Sequence, residues 1–377
     1  MIYLDNAATS WPKPPAVARE MVRCLQEYGA NPGRSGHQMA VKAAEKIFEC
    51  RENLAALFGA ENPLSFVFTA NATGAINLAL KGLLRSGDHV IYSSMEHNSV
   101  VRPLKRLEAQ GVELSLVQAD EGGRVHPADL AKELRNNTRL LLVTHASNVT
   151  GTVNDVEAIG YLTKEQRLLF MVDASQSAGS YPVDMGRMKA DLMAFSGHKG
   201  LLGPQGTGGL YIREGLRLAT LVEGGTGSLS ESLSQPEFVP DRYESGTLNT
   251  PGIAGLNEGL KYLLQTDPEQ IYARKKQLEK KLREGLSDLP KVRVFGEGVS
   301  GIGVVSIVLA GKDCQEVCAE LDEKYHIAAR GGLHCAYLAH ETIGTKHTGT
   351  VRFSLSPFTT TQDIEAALRA IKSISSS

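Results

Sequence analysis

One lysine in a bed of glycine, serine and histidine, Ser196-Gly-His-Lys199-Gly-Leu-Leu-Gly-Pro-Gln-Gly-Thr-Gly-Gly, has the residue types and spacing to do chemistry. Surface lysines come with mixed charge and helical spacing, and Lys199 has neither. Glycine leaves backbone N–H groups free to meet an anion, and an unpaired amine can bond covalently to that anion's carrier. A site for pyridoxal phosphate needs this pairing, an amine for the aldehyde and donors for the phosphate. A solvated turn lysine explains the segment equally well until the rest of the chain is read.

The elements around it have a pattern. From Phe66 to Ile212, short apolar runs alternate with helical stretches: Phe66-Val-Phe-Thr, His89-Val-Ile-Tyr, Leu114-Ser-Leu-Val, Leu140-Leu-Leu-Val-Thr, Leu168-Leu-Phe-Met-Val and Leu192-Met-Ala-Phe. Continuously apolar strands separated by helices predict an α/β fold with a mainly parallel sheet covered on both faces. Ligands of such sheets bind beyond the carboxyl ends of the strands. The residues following the strands therefore sample one crevice: Asn71-Ala-Thr73-Gly, Ser94-Met-Glu-His97, His145-Ala-Ser-Asn148, Asp173-Ala-Ser-Gln176 and the Lys199 loop. Five polar strand ends on one rim favour a functional site.

Each residue type suggests a role. Thr73, with backbone amides around Ala72 and Gly74 at a helix N-terminus, suits a phosphate. Asp173, delivered by a buried strand, suits a pyridinium nitrogen, keeping it protonated so that the ring can accept electrons. It would equally serve as a helix N-cap. His97 could stack on a ring or shuttle protons, and Gln176 could hydrogen-bond a ring hydroxyl.

Composition excludes several classes. At 377 residues the chain can bury a large core in two domains, and 42% hydrophobic with 22% charged residues suits a globular enzyme. A net charge of −2 gives no reason to expect nucleic acid or an anionic membrane as partner. No apolar run approaches a transmembrane length, and Met1-Ile-Tyr-Leu-Asp5 has no basic region before an apolar one, so a cytoplasmic location is expected. Five cysteines make no disulfide framework. Cys24, Cys50, Cys314 and Cys318 lie on helical faces with apolar neighbours and read as core, with no metal site expected.

Helices are expected from Pro15 towards Gly29, over Gln38–Phe58, Gly252–Gln265 and Glu269–Leu286, with a glycine- and proline-rich loop at 31–37. The tail mixes strands (Val292–Phe295, Gly303–Val308, Val351–Leu355) with helices (Asp313–Tyr325, Thr361–Ile374). Between Leu216 and Pro251 the sequence is rich in glycine and serine with little periodicity, an excursion long enough to reach a neighbouring subunit.

The chain resembles class V, fold-type I pyridoxal phosphate enzymes, and specifically the SufS-like (group II) cysteine desulfurases and selenocysteine lyases. The similar segments are Tyr3-Leu-Asp-Asn-Ala-Ala, Thr73-Gly-Ala-Ile-Asn-Leu, Glu96-His97-Asn-Ser, Thr144-His-Ala-Ser-Asn148-Val-Thr-Gly-Thr, Val172-Asp-Ala-Ser-Gln176, Ser196-Gly-His-Lys199, Arg242-Tyr-Glu-Ser-Gly-Thr247-Leu-Asn and Arg330-Gly-Gly-Leu-His-Cys335-Ala, in the family's order. The resemblance implies a large domain with a mainly parallel seven-stranded sheet (13–265) and a smaller α+β domain built from 1–12 and 266–377. It implies that Lys199 bonds the cofactor covalently, with Asp173 on the pyridinium, Gln176 on the ring hydroxyl and His97 over the ring as acid and base. Ala72, Thr73, Ser196 and His198 would hold the phosphate, and Thr247 would reach the phosphate of the other subunit of a homodimer. Arg352 and Asn148, with Arg330, would bind the substrate carboxylate; outside this context Arg352 reads as a surface salt bridge.

Cys335 is implied to be the nucleophile that takes sulfur from L-cysteine as a persulfide, leaving L-alanine, before delivery to an acceptor protein such as one in iron–sulfur cluster assembly. Arg330 and His334 could lower its pKa, and Gly331-Gly332 could hinge its loop. The alternatives are a selenocysteine lyase acting on L-selenocysteine, an aminotransferase or β-lyase, and a silent sulfur-carrier or scaffold subunit.

Overall fold

A computed structural model describes residues 1–33, 35–296 and 301–376. Arg34, within the glycine-rich loop read from the sequence, lies outside the described residues.

The central sheet has seven strands, in the spatial order Phe66–Thr69, Gly208–Ile212, Leu192–Ser196, Leu169–Asp173, Thr138–Thr144, His89–Ser93, Glu113–Val117. Six run in the same direction, and Gly208–Ile212 pairs antiparallel with both its neighbours. The expectation of a mainly parallel seven-stranded sheet holds. Alternate residues of each strand feed opposite cores. Phe66, Ile91, Leu141, Phe170 and Phe195 pack with Ile47, Leu54, Phe58, Ile253 and Leu260 from the helices Gln38–Phe58 and Thr250–Thr266. Val67, Val90, Leu140, Met171, Leu192 and Leu210 face Ile76, Leu80, Val100 and Leu104 on the other side. With both faces covered, the strands need no polar alternation, which is why they read as continuous apolar runs. Gly209 keeps the antiparallel strand close, since a Cβ there would stand 2.4 Å from the Phe195 ring.

A second sheet of four antiparallel strands has the order Arg330–Gly332, Thr350–Ser354, Val304–Leu309, Val292–Val294. Helices Pro268–Ser287, Cys314–Tyr325 and Thr361–Ser376 cover it through Leu282, Leu321, Ala367 and Ile371. The N-terminal segment joins the two sheets. On one side Asn6 Nδ2 donates to the Ser354 carbonyl (2.9 Å) and Ala7 N–H to Ser354 Oγ (2.8 Å). On the other, Gln176 Nε2 donates to the Ala7 carbonyl (3.1 Å) and Ser10 N–H to the His198 carbonyl (3.0 Å).

Cys24, Cys50 and Cys314 are buried, and burial pushes the Cys318 thiol up to about 12. Among the described residues no helix is long and apolar enough to cross a membrane.

No helix or strand falls between Ile212 and Thr250. The excursion is held by a buried ion pair, Arg51 Nη2 to Glu244 Oε2 at 2.5 Å, while Glu244 Oε1 accepts from Phe68 N–H (2.6 Å). Arg51 also donates to the Phe66 carbonyl. Burial raises the Glu244 pKa above the ordinary carboxylate value even with Arg51 beside it. Removing one partner strands a buried charge, a cost of about 3–5 kcal/mol. Arg51→Met is therefore expected to lower unfolding stability by roughly that amount, and adding Glu244→Gln to restore part of it. Denaturant titration of the three variants measures both steps.

Candidate active site

The strand ends converge on a cavity of about 180 Å³ lined by Asn71, Ala72, Thr73, His97, Ser99, Thr144, Asn148, Asp173, Ser175, Gln176, Ser196, His198 and Lys199. A larger cavity, about 910 Å³, lies beside His145, Tyr181 and the start of helix Pro268–Ser287. Size does not decide between them. The smaller one gathers the groups that can do chemistry; of the strand-end residues picked out in the sequence, the larger one holds only His145.

Lys199 is half-buried, and no hydrogen bond or ion pair reaches its Nζ among the described residues. Burial lowers its pKa to about 8, Arg352 and Arg330 push the same way, and Asp173 opposes them. The result is an amine with a substantial neutral, nucleophilic fraction close to neutral pH.

Asp173 ends its strand at 3% exposure, and both Ser175 N–H (2.9 Å) and Ser175 Oγ (2.5 Å) donate to Oδ1. No donor among the described residues reaches Oδ2. The residues that follow form turns rather than a helix, so the N-cap reading of Asp173 is set aside.

His97 caps helix Asn98–Glu108: its Nδ1 accepts from Ser99 N–H (3.0 Å) and lies 2.9 Å from Ser99 Oγ. An accepting Nδ1 places the proton of the neutral ring on Nε2. Burial, with Lys199 next, lowers the His97 pKa to about 4, so the ring is neutral at pH 7.

Thr73 lies in the first turn of helix Ala72–Leu83, its Oγ1 2.7 Å from Ser99 Oγ. Asn71 caps this helix by accepting from Gly74 N–H (2.9 Å). That corrects one expectation: the Gly74 amide is already used, and the amides of Ala72 and Thr73 are the ones open to an anion. Ser196 lines the same end of the cavity. His198, whose pKa burial lowers to about 4, keeps a buried Nδ1 with no partner. An unpartnered imidazole nitrogen on a residue that lines the same cavity as open helix-terminal amides is chemistry that an anionic group would complete.

Arg352 is 1% exposed, which rules out the surface salt bridge. Its Nη2 donates to Asp5 Oδ1 (2.8 Å) and its Nη1 to the Asn148 carbonyl (3.1 Å). Asn148 Nδ2 in turn donates to the His334 carbonyl (2.7 Å), so these two residues touch each other but neither lies alone.

Cys335 is exposed, and Arg330 Nη2 stands 3.7 Å from its Sγ. Two expectations about its loop are corrected. Gly331 and Gly332 are no hinge, because they pair with Val351 and Thr350 in the second sheet, and a Cβ on Gly331 would meet the Cys314 carbonyl at 2.7 Å. The loop is then fastened by Asn98 N–H to the Cys335 carbonyl (2.8 Å) and Ala336 N–H to the Leu333 carbonyl (2.9 Å). His334 supplies no positive charge: burial pushes its pKa down to about 2, and its Nε2 is held by Thr350 Oγ1 at 2.9 Å. Both His334 (φ 49°) and Cys335 (φ 59°) sit in the left-handed region, a conformation costing about 1–2 kcal/mol per residue.

Thr247 stays outside the Lys199 cavity. It lines a separate cavity of about 410 Å³ and accepts from Asn31 Nδ2 (3.2 Å).

Sequence reasoning missed Asn71, Ser99, Ser175, Asp5 and Glu96 as parts of the site. Asn71 carried a signal, a capping residue directly before a helix, as did Ser175, two residues after an aspartate. Glu96 did not. It is fully buried, its Oε1 accepts from Ser93 Oγ (2.5 Å) and Thr144 N–H (2.7 Å), and burial raises its pKa to about 8.

The aminotransferase class-V family matches residues 2–367. A probable cysteine desulfurase of Methanothermobacter thermautotrophicus is 37% identical over 370 residues, 97% of this chain and 92% of that protein. A cysteine desulfurase IscS of Vibrio campbellii is 33% identical, covering 98% and 92%. Among solved structures, the apo cysteine desulfurase of Thermococcus onnurineus NA1 covers all of this chain and 94% of its own, with a TM-score of 0.93 and 33% identity.

A depressed lysine pKa has a direct reactivity consequence. Lys199 should react with a small amine-directed acylating reagent along a curve that rises with pH and levels off above about 8, while the exposed lysines keep rising towards about 10.4. Quantitative peptide mapping of the cofactor-free protein against pH reads this; a midpoint for Lys199 in the ordinary lysine range contradicts the site described.

Proposed function

The chain belongs to the aminotransferase class-V family, and within it we propose a pyridoxal-phosphate-dependent cysteine desulfurase that converts L-cysteine to L-alanine and passes the sulfur to an acceptor. The observation that carries this reading is a pair: a half-buried lysine amine with no acid bound to it, and an exposed cysteine with the Arg330 guanidinium 3.7 Å from its sulfur.

The residues present fit the cofactor. Lys199 Nζ is free to bond an aldehyde, Asp173 Oδ2 is free to face a ring N–H, and Thr73, Ser196, His198 and the amides at Ala72 and Thr73 suit a phosphate. When bound, the cofactor supplies an electron-accepting ring that makes the substrate's Cα–H acidic. Asp173 keeps the ring nitrogen protonated. Arg352 and Asn148 orient the substrate carboxylate, which fixes the bond at Cα that faces the ring. Lys199, with a pKa near 8, can take the Cα proton and return it. His97, neutral with its proton on Nε2, would donate a hydrogen bond from Nε2 to a group bound in the cavity. Cys335 Sγ attacks the substrate sulfur: the Cβ–S bond breaks, an S–S bond forms, and the electron pair left on the carbon skeleton is protonated at Cβ. L-Cysteine and one thiol thus give L-alanine and one persulfide.

Three finer readings belong with it. The segment Arg330-Gly-Gly-Leu-His-Cys335-Ala supports the SufS-like branch. The position of Thr247, outside its own chain's cavity on an aperiodic excursion, supports a homodimer in which it reaches the partner's phosphate. The two separate sheets support a division into 13–265 and 1–12 with 266–377.

Cys335→Ala tests the function. The variant should keep the bound cofactor and a spectral response to L-cysteine while forming almost no alanine; turnover at the parent rate contradicts the persulfide step. L-Selenocysteine should retain part of its turnover in this variant, because a selenol is more acidic and leaves more readily. The dimer has its own test. Mixing Lys199→Ala with Thr247→Ala chains should restore activity in hybrids carrying one intact site, and inactive hybrids would place Thr247's role within one chain.

A further inference from the structure

Arg352 carries five N–H donors and sits at 1% exposure, so what occupies those donors decides what else it can hold. One carboxylate is already there. Asp5 Oδ1 accepts from Nη2 at 2.8 Å, the Asn148 carbonyl accepts from Nη1 at 3.1 Å, and Nε has no partner.

Asp5 is not a loose side chain that drifted onto a cation. Its backbone bridges Ser354, two residues along the strand from Arg352. Leu4 N–H donates to the Ala328 carbonyl, Ser354 N–H to the Leu4 carbonyl, and Asn6 and Ala7 both bond Ser354. The segment therefore fixes a carboxylate against Arg352 from 347 positions away in sequence. An aspartate carboxylate is the same chemical group as the α-carboxylate of an amino acid. It is also the first of the charges holding the buried guanidinium in its cationic form.

We infer that Asp5 is a specificity-determining positioning residue, a resident carboxylate that aims Arg352 and at the same time offsets its charge towards the incoming substrate. This rests on the reading of Arg352 as the substrate-carboxylate residue. Two effects of opposite sign follow. As a fixed hydrogen-bond partner, Asp5 holds the guanidinium plane in one orientation, which favours turnover. As a like charge close to the bound substrate carboxylate, it weakens binding, so the amino acid and the alanine product are both held less tightly than a lone buried arginine would hold them. A residue that only supported the fold would produce neither the second effect nor the split between them.

The test uses the cofactor-loaded enzyme and Asp5→Asn, with propionate as a competing carboxylate that lacks the amine. The KM for L-cysteine and the Ki for propionate should both fall, by about tenfold (roughly 1.4 kcal/mol), while kcat falls as well. Asp5→Glu should move both constants back towards the parent. Asp5→Ser supplies the same measurement if Asp5→Asn does not fold, and thermal unfolding shows which variant to use. An unchanged or raised propionate Ki overturns the inference. Arg352→Lys separates that failure from a deeper one. If it raises the KM while Asp5→Asn leaves the Ki alone, Arg352 binds substrate and Asp5 has no part in it. If Arg352→Lys changes neither constant, the reading of Arg352 itself is wrong.

Discussion

The site depends on keeping one primary amine out of water without placing an acid against it. A lysine deprived of solvent resists protonation, and Lys199 responds with a pKa near 8. This requires strands that end together and a glycine-rich turn that carries the lysine to their shared edge. An aspartate bonded directly to Nζ would restore the charge and remove the nucleophile. Asp173 avoids this because Ser175 holds its Oδ1 through two donors, which fixes the carboxylate while leaving Lys199 unpaired.

The same burial silences groups that look charged in the sequence. His97 and His198 fall to about 4 and His334 to about 2, so all three imidazoles are neutral at pH 7. Glu96, raised to about 8, is mostly a neutral acid there. Its work is mechanical: one oxygen ties the end of strand His89–Ser93 to the end of Thr138–Thr144, the strands that lead to His97 and Asn148. The field inside the crevice is therefore set by few charges, chiefly Asp173, Asp5, Arg352 and Arg330. A neutral His97 held through Nδ1 is suited to donate a hydrogen bond from Nε2 in one direction, which a ring free to flip would not be.

Most of the large sheet was legible because its strands are buried on both faces and its helices begin and end on residues with known capping chemistry. Helix Gln38–Phe58 was bounded correctly, with His37 accepting at its start and Gly59 in the left-handed conformation at its end. The rim residues were legible for a topological reason: in parallel sheets the chain must deliver strand ends to one edge. What could not be read were contacts between distant segments. Nothing in Leu4-Asp5-Asn6 announces that it will stitch itself to Ser354, and nothing in Gly331-Gly332 distinguishes a hinge from a strand that needs glycine to approach Cys314. The His334 error had a different source. A histidine near a thiol suggests an ion pair only if the imidazole stays wet, and here it is buried against Thr350.

The fastened Cys335 loop constrains how sulfur can leave. With its backbone bonded to Asn98, its neighbours bonded to Asn148 and Leu333, and its glycines locked in a sheet, the loop cannot swing the thiol across a distance. What remains free is the side-chain rotamer, which moves a sulfur by a few ångströms. On the reading proposed above, Cys335 must therefore receive sulfur on the inner side and present it on the outer side almost in place. The left-handed backbone at His334 and Cys335 serves that geometry, because it turns the chain sharply enough for His334 to be buried while the next residue, Cys335, is exposed. An acceptor then has to come to the thiol, and its reach, rather than the mobility of this loop, sets which acceptors can be served.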